Sequence, residues 1–121
     1  MKALFDTNIL IDYLAGHKPA DRELKRFDQG FISVVTWFEV LVGAQSGDEE
    51  AVVRRFLDGF RCVSVTREVA ARAVELRRRR RLRLPDAIIW ATAGECDCLL
   101  VTRNTRDFPT SDPGIRVPYR L

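Results

Sequence analysis

Apolar residues fall along this chain in short unbroken runs, and between the runs they recur at every third or fourth position. Short runs suit strands buried on both faces, whereas the wider spacing suits helices with one apolar stripe. The runs are Ala3-Leu4-Phe5, Phe31-Ile32-Ser33-Val34, Cys62-Val63-Ser64-Val65 and Cys98-Leu99-Leu100-Val101. A fifth, Ile115-Arg116-Val117, lies among prolines and reads as a short edge strand. Helices are predicted from Ile9 to Leu14, ended by Gly16, and from Pro19 to Phe27. Thr36-x-x-Glu39 opens another, with Gly43 inside it and Gly47 closing it. Asp48 to Leu57 follows, then a helix capped by Thr66 with Val69, Ala70, Ala73, Val74 and Leu76 on its buried side. The last begins at Leu84-Pro85-Asp86 and stops at Gly94.

Strands alternating with helices imply an α/β fold with a mostly parallel sheet covered on both faces. Right-handed crossovers set the carboxyl ends of the strands along one rim, the edge where such sheets bind ligands. Asp6 follows the first strand, Asp107 the fourth, and Glu39 lies in the first turn after the second. Asp86 is harder to place. Two helices joined by a few residues should run antiparallel, so Asp86 reaches the rim only if the helix before it runs away from the sheet. Each acid also has a local explanation. Glu39 fits a capping box with Thr36, Asp86 a first-turn acid, Asp107 an Asx turn, and Asp6 a helix cap.

Four acids on one rim would repel one another and call for a cation between them. Oxygen ligands without Cys or His select Mg²⁺ or Mn²⁺ over zinc, and such ions activate water for phosphodiester hydrolysis. The other residues offer little competing chemistry. The only histidine, His17, lies in a turn, and Cys62, Cys96 and Cys98 read as reduced, packed thiols.

At 121 residues the chain is read as one domain, 1–121, able to bury roughly two-thirds of its unfolded surface. Hydrophobic residues at 46% and charged ones at 31% are expected of a globule. With no apolar run near the ~20 residues of a membrane span, a cytoplasmic protein is expected. The net charge of +3 is unevenly placed: residues 1–61 carry 8 basic and 10 acidic side chains, residues 62–121 carry 12 and 7. Six of the seven residues from Arg77 to Arg83 are arginine. That run is either a solvated helix end favoured by the macrodipole or a phosphate footprint for RNA. On the second reading Arg78, Arg79, Arg80 and Arg103 bind RNA.

Leu4-Phe5-Asp6-Thr7-Asn8, Ser33 to Gly43 with Glu39, Leu84-Pro85-Asp86-Ala87-Ile88-Ile89 with Ala91-Thr92-Ala93, and Leu100-Val101-Thr102-Arg103-Asn104 with Asp107-Phe108 together resemble a PIN-domain ribonuclease. Length and the basic second half resemble the VapC toxin branch. The resemblance implies a three-layer α/β/α sandwich with a mostly parallel five-stranded sheet, and a Mg²⁺- or Mn²⁺-dependent endoribonuclease. It implies that Asp6, Glu39, Asp86 and Asp107 form the acidic quartet, with Asp6 and Asp86 the principal metal ligands. Thr7, Asn8, Thr102 and Asn104 would support them. A homodimer and a VapB-like antitoxin covering the site are implied as well; apolar side chains on the short helices near Tyr13 and Phe27 either receive an antitoxin helix or belong to the core. Trp90 stands where small residues are common in the family.

Two other classes compete. A haloacid-dehalogenase-type phosphatase also begins with an aspartate after the first strand, but it wants a second one where this chain has Asn8. A non-catalytic RNA- or partner-binding module would keep the fold and use the acids only as surface.

Overall fold

In a computed structural model that describes residues 2–121, the elements are β1 (Lys2–Phe5), α1 (Thr7–Leu14), α2 (Lys18–Arg26), β2 (Gln29–Ser33), α3 (Val34–Val42), α4 (Gly47–Leu57), β3 (Arg61–Val63), α5 (Arg67–Arg79), α6 (Leu84–Glu95), β4 (Leu99–Val101) and β5 (Ile115–Arg116). All strand pairs are parallel, in the order β3-β2-β1-β4-β5. The first strand is therefore central, and the chain builds outward from it in both directions. That reversal opens a crevice at its carboxyl end.

Alternation along β1 explains the two layers of helices. Ala3 and Phe5 point to one face and Leu4 to the other, all fully buried. Phe5 meets Ile9, Leu10, Val40, Val53 and Leu57 from α1, α3 and α4. Leu4 meets Val69 and Ala73 of α5 and Ala87, Ile89 and Ala91 of α6. The result is a three-layer α/β/α sandwich, as expected.

Several local expectations change. The Thr36–Glu39 capping box does not form; Ser33 ends β2 and itself caps α3, its Oγ accepting from Val35 N at 3.1 Å. Thr36 is thereby buried inside the helix. Gly43 stands at the C-cap of α3 rather than inside it, and Gly47 opens α4 instead of closing α3, because Ser46 caps Glu49 N. Thr66 caps α5 as predicted, through Val69 N at 3.1 Å. Of its expected buried face only Val69 and Ala73 are buried, with Leu76 half-buried, while Ala70 and Val74 face solvent. Cys62 is exposed on the edge strand β3, so only Cys98 is a packed thiol in full; all three are free. After α1 the chain turns at Gly16, whose φ of +90° favours a residue without a Cβ. Among the described residues no helix is long and apolar enough to cross a membrane.

Candidate active site

Asp6 is fixed by backbone before its side chain acts. Its N–H donates to Val101 O at 2.9 Å, tying the end of β1 to β4, and the turn into α1 makes it that helix's N-cap. Oδ1 accepts from Thr7 N at 2.8 Å. Oδ2 accepts from Thr102 Oγ1 at 2.7 Å and from Asn8 Nδ2 at 3.1 Å. The carboxyl is buried and its pKa is pushed up to about 6. Burial is the main cause, the Thr102 and Thr7 bonds work against it, and the negative charges of Asp86 and Glu39 add to it.

Those charges place three of the four acids in one electrostatic neighbourhood. Asp86, buried in the first turn of α6, is raised by its own burial, held back by Arg83, and raised again by Asp107 and Glu39. Asp107 thus belongs to the same group. The α5–α6 connection does bring Asp86 to the rim, which topology alone left open.

Each polar residue expected to support the acids touches one. Thr7 Oγ1 donates to Glu39 Oε1 at 2.7 Å and stands 2.9 Å from Thr36 Oγ1. Because a hydroxyl has one proton, Thr36 must donate to Thr7. Asn104 Nδ2 donates to Asp107 Oδ2 at 2.9 Å, and its Oδ1 accepts from Asp107 N. Thr102 Oγ1 also accepts from Asn104 N at 3.0 Å, so Asp6 and Asp107 are the two ends of a chain of bonds that runs through Thr102 and Asn104.

Two features lacked a sequence signal. Asp12, buried on α1, accepts both Arg103 Nε at 2.6 Å and Nη2 at 2.9 Å, and Tyr119 Oη at 2.8 Å. Burial works to raise Asp12, but these bonds outweigh it and hold the carboxyl below its ordinary range, while the Tyr119 phenol is pushed up. Arg103 is accordingly spent on protein rather than free for RNA; its N–H also donates to Asn8 Oδ1 at 3.2 Å. Second, Arg83 Nε lies 3.4 Å from Asp86 Oδ2. The other RNA candidates separate: Arg79 pairs with Glu75 at 3.7 Å, Arg80 lies 5.0 Å from the Trp90 ring centroid, and Arg78 reaches Glu75 only at 4.0 Å.

Among the described residues no three His, Cys, Asp or Glu side chains are gathered closely enough to hold a metal ion. In kind, however, the donors fit a hard divalent cation. They are carboxylate oxygens, neighbouring negative charges push Asp6 and Asp86 up, and a cation among them would relieve that repulsion.

The family model of the PIN domain matches residues 3–110. The chain belongs to the PIN domain family. This PIN domain is similar to a chain of a toxin-antitoxin complex from Klebsiella pneumoniae, at 44% identity and TM-score 0.92, covering 98% of this chain and 99% of that one. A chain of DNA-bound VapBC from Salmonella typhimurium is 25% identical with TM-score 0.79, covering 96% of each. FitAcB from Neisseria gonorrhoeae, at 23% identity, TM-score 0.80 and full coverage of both chains, shows the same fold. A comparison with curated proteins found no match. The resemblance read from the motifs therefore holds for a VapC-type PIN domain.

Proposed function

We propose that this PIN domain is a Mg²⁺- or Mn²⁺-dependent endoribonuclease and the toxin of a toxin-antitoxin pair, acting in the cytoplasm. The observation that carries the reading is the rim itself, where the charges of Asp86 and Glu39 bear on Asp6, those of Asp107 and Glu39 bear on Asp86, and Asp6 is pushed up to about 6. A rim of four acids repels a phosphodiester until its charge is offset.

A divalent ion held there would neutralise that charge and lower the pKa of a water for attack on phosphorus. Asp6 and Asp86 are the residues to hold it, with Asp107 and Glu39 completing the set. Thr102 and Asn8 fix the Asp6 carboxylate, and Asn104 fixes Asp107. Thr7 orients Glu39 through a hydroxyl whose own proton is committed to it. A phosphatase of the haloacid dehalogenase type has less to work with, since Asn8 stands at its second acid and is already spent on Asp6 and Thr102.

The same reading calls for a surface that an antitoxin covers. A cavity of about 470 Å³ between α1, α3 and α4 is lined by Ile11, Leu14, Val52 and Val53, with Glu39 at its edge. An apolar antitoxin segment seated there would cover the acid. Loss of inhibition in Val52→Asp with cleavage retained supports this groove, and undiminished inhibition removes it. Self-association into a homodimer belongs to the same reading and is checked by light scattering; a monomer mass at micromolar concentration removes it.

The deciding experiment is cleavage of total RNA by the purified chain with Mn²⁺, with EDTA, and by a folded Asp86→Asn variant. Cleavage that needs both metal and Asp86 is expected. No cleavage, together with no Mn²⁺ binding by calorimetry, overturns the reading.

A further inference from the structure

The α5–α6 connection folds the arginine run into two faces with different partners. Arg79 and Arg80 turn toward Glu75 and Trp90. Arg77, Arg78, Arg81 and Arg83 line an open cavity of about 880 Å³, around apolar Val74 and Leu84, with Arg78 also 4.0 Å from Glu75. Among the described residues no carboxylate lines it.

The cavity is built rather than incidental. Leu82, 2% exposed, is sunk into the core between the arginines, and Arg77 Nη1 donates to its carbonyl at 2.7 Å. That bond fixes the turn and so the spacing of Arg78, Arg81 and Arg83 around it. Four guanidinium groups around a space with no acid in its lining repel one another and gain most from an anion with several oxygens, which their forked donors match. Arg83 is the join to the active site, since the same side chain lines the cavity and lies 3.4 Å from Asp86.

We propose that this cavity binds the phosphodiester backbone of the RNA strand whose scissile bond lies at the carboxylate rim. The identity of the ligand rests on the ribonuclease reading above, but the cavity is testable without cleavage. Arg78 and Arg81 are solvent-exposed, so their removal leaves the core intact.

The probe is a labelled single-stranded oligoribonucleotide, titrated in EDTA over a range of salt by fluorescence anisotropy. Wild type is compared with Arg78→Ala/Arg81→Ala and with Lys18→Ala/Arg22→Ala, an equal charge change at exposed positions of α2. Each phosphate that is no longer neutralised should reduce the slope of log K against log salt by about 0.7, hence by about 1.4 for the cavity variant. The α2 variant should keep the wild-type slope. An unchanged slope in the folded cavity variant overturns the proposal, and so does an equal reduction in both variants. The Mn²⁺ cleavage assay judges the other reading separately. RNA held by the cavity but never cut would remove the nuclease and spare the site, whereas cutting with an unchanged slope would do the reverse.

Discussion

Replacing Asp6 by Asn should stabilise the metal-free fold while abolishing activity, and the stabilisation should depend on pH in a way that identifies its origin. In the folded chain the Asp6 pKa is about 6, against an ordinary 3.8. That difference, about 2.2 in pKa, corresponds to about 3 kcal/mol of penalty for carrying the charge in the fold. Because the folded value is the higher one, the penalty is fully present above about pH 6 and fades as pH falls toward about 4. At pH 5 about half of it should remain. The asparagine escapes it but turns an N–H₂ group toward the Thr102 hydroxyl and the Asn8 amide, both of which donate to Asp6 Oδ2. Two lost bonds cost about 2 kcal/mol, leaving a net gain of about 1 kcal/mol at pH 7.5. Urea unfolding of both proteins in EDTA at pH 7.5, 5 and 4 measures this. A variant no more stable than wild type at pH 7.5, or a gain that stays constant down to pH 4, would refute the account of Asp6.

Three further outcomes are expected. Arg103→Ala leaves Asp12 buried with Tyr119 alone and should lower stability by about 3 kcal/mol, read from urea unfolding; a loss under about 1 kcal/mol would mean water replaces the guanidinium. Gly30→Ala and Gly94→Ala should differ in thermal unfolding. The first presses a methyl between the Phe5 and Phe60 rings at 3.1–3.2 Å and should cost about 1–2 kcal/mol, whereas the second meets only the movable end of Arg72 and gains helix propensity, so it should be neutral or stabilising. Arg83→Ala removes a cation whose exposed side chain makes its hold on Asp86 worth about 0.5 kcal/mol, so Mn²⁺ should bind about twofold more tightly by calorimetry, and weaker binding would contradict the role given to Arg83.

The alternation of elements and the rim of Asp6, Glu39 and Asp107 were legible because both follow from local pattern plus the handedness of crossovers. The helix start at Ser33 was not, since one residue ends β2 and caps α3 with no turn between them to mark the change. Thr36-x-x-Glu39 had the letters of a capping box, but its members serve Thr7 instead. Nothing in the sequence sets Asp12 or Glu23 apart from the other helix acids. Both are buried, each held by a bidentate arginine, Arg103 and Arg116, that lies 91 and 93 residues further along. No window along the chain contains such a pair. The Arg77–Arg83 run was visible as charge, yet which of its members share a cavity depends on Leu82 turning inward.

The apolar lining around α1, α3 and α4 has a consequence for how such a chain can change. Ile11, Leu14 and Val52 are 48%, 40% and 60% exposed, and the cavity they line has Glu39 at its edge. Exposed apolar surface of this kind invites association with whatever is near. If an inhibitor sits there as proposed, a substitution that made the free chain better behaved in water would loosen its grip on the same ground. Under the toxin reading, solubility alone and safety in company pull these side chains in opposite directions, which favours a chain made together with its partner over one made first and restrained later.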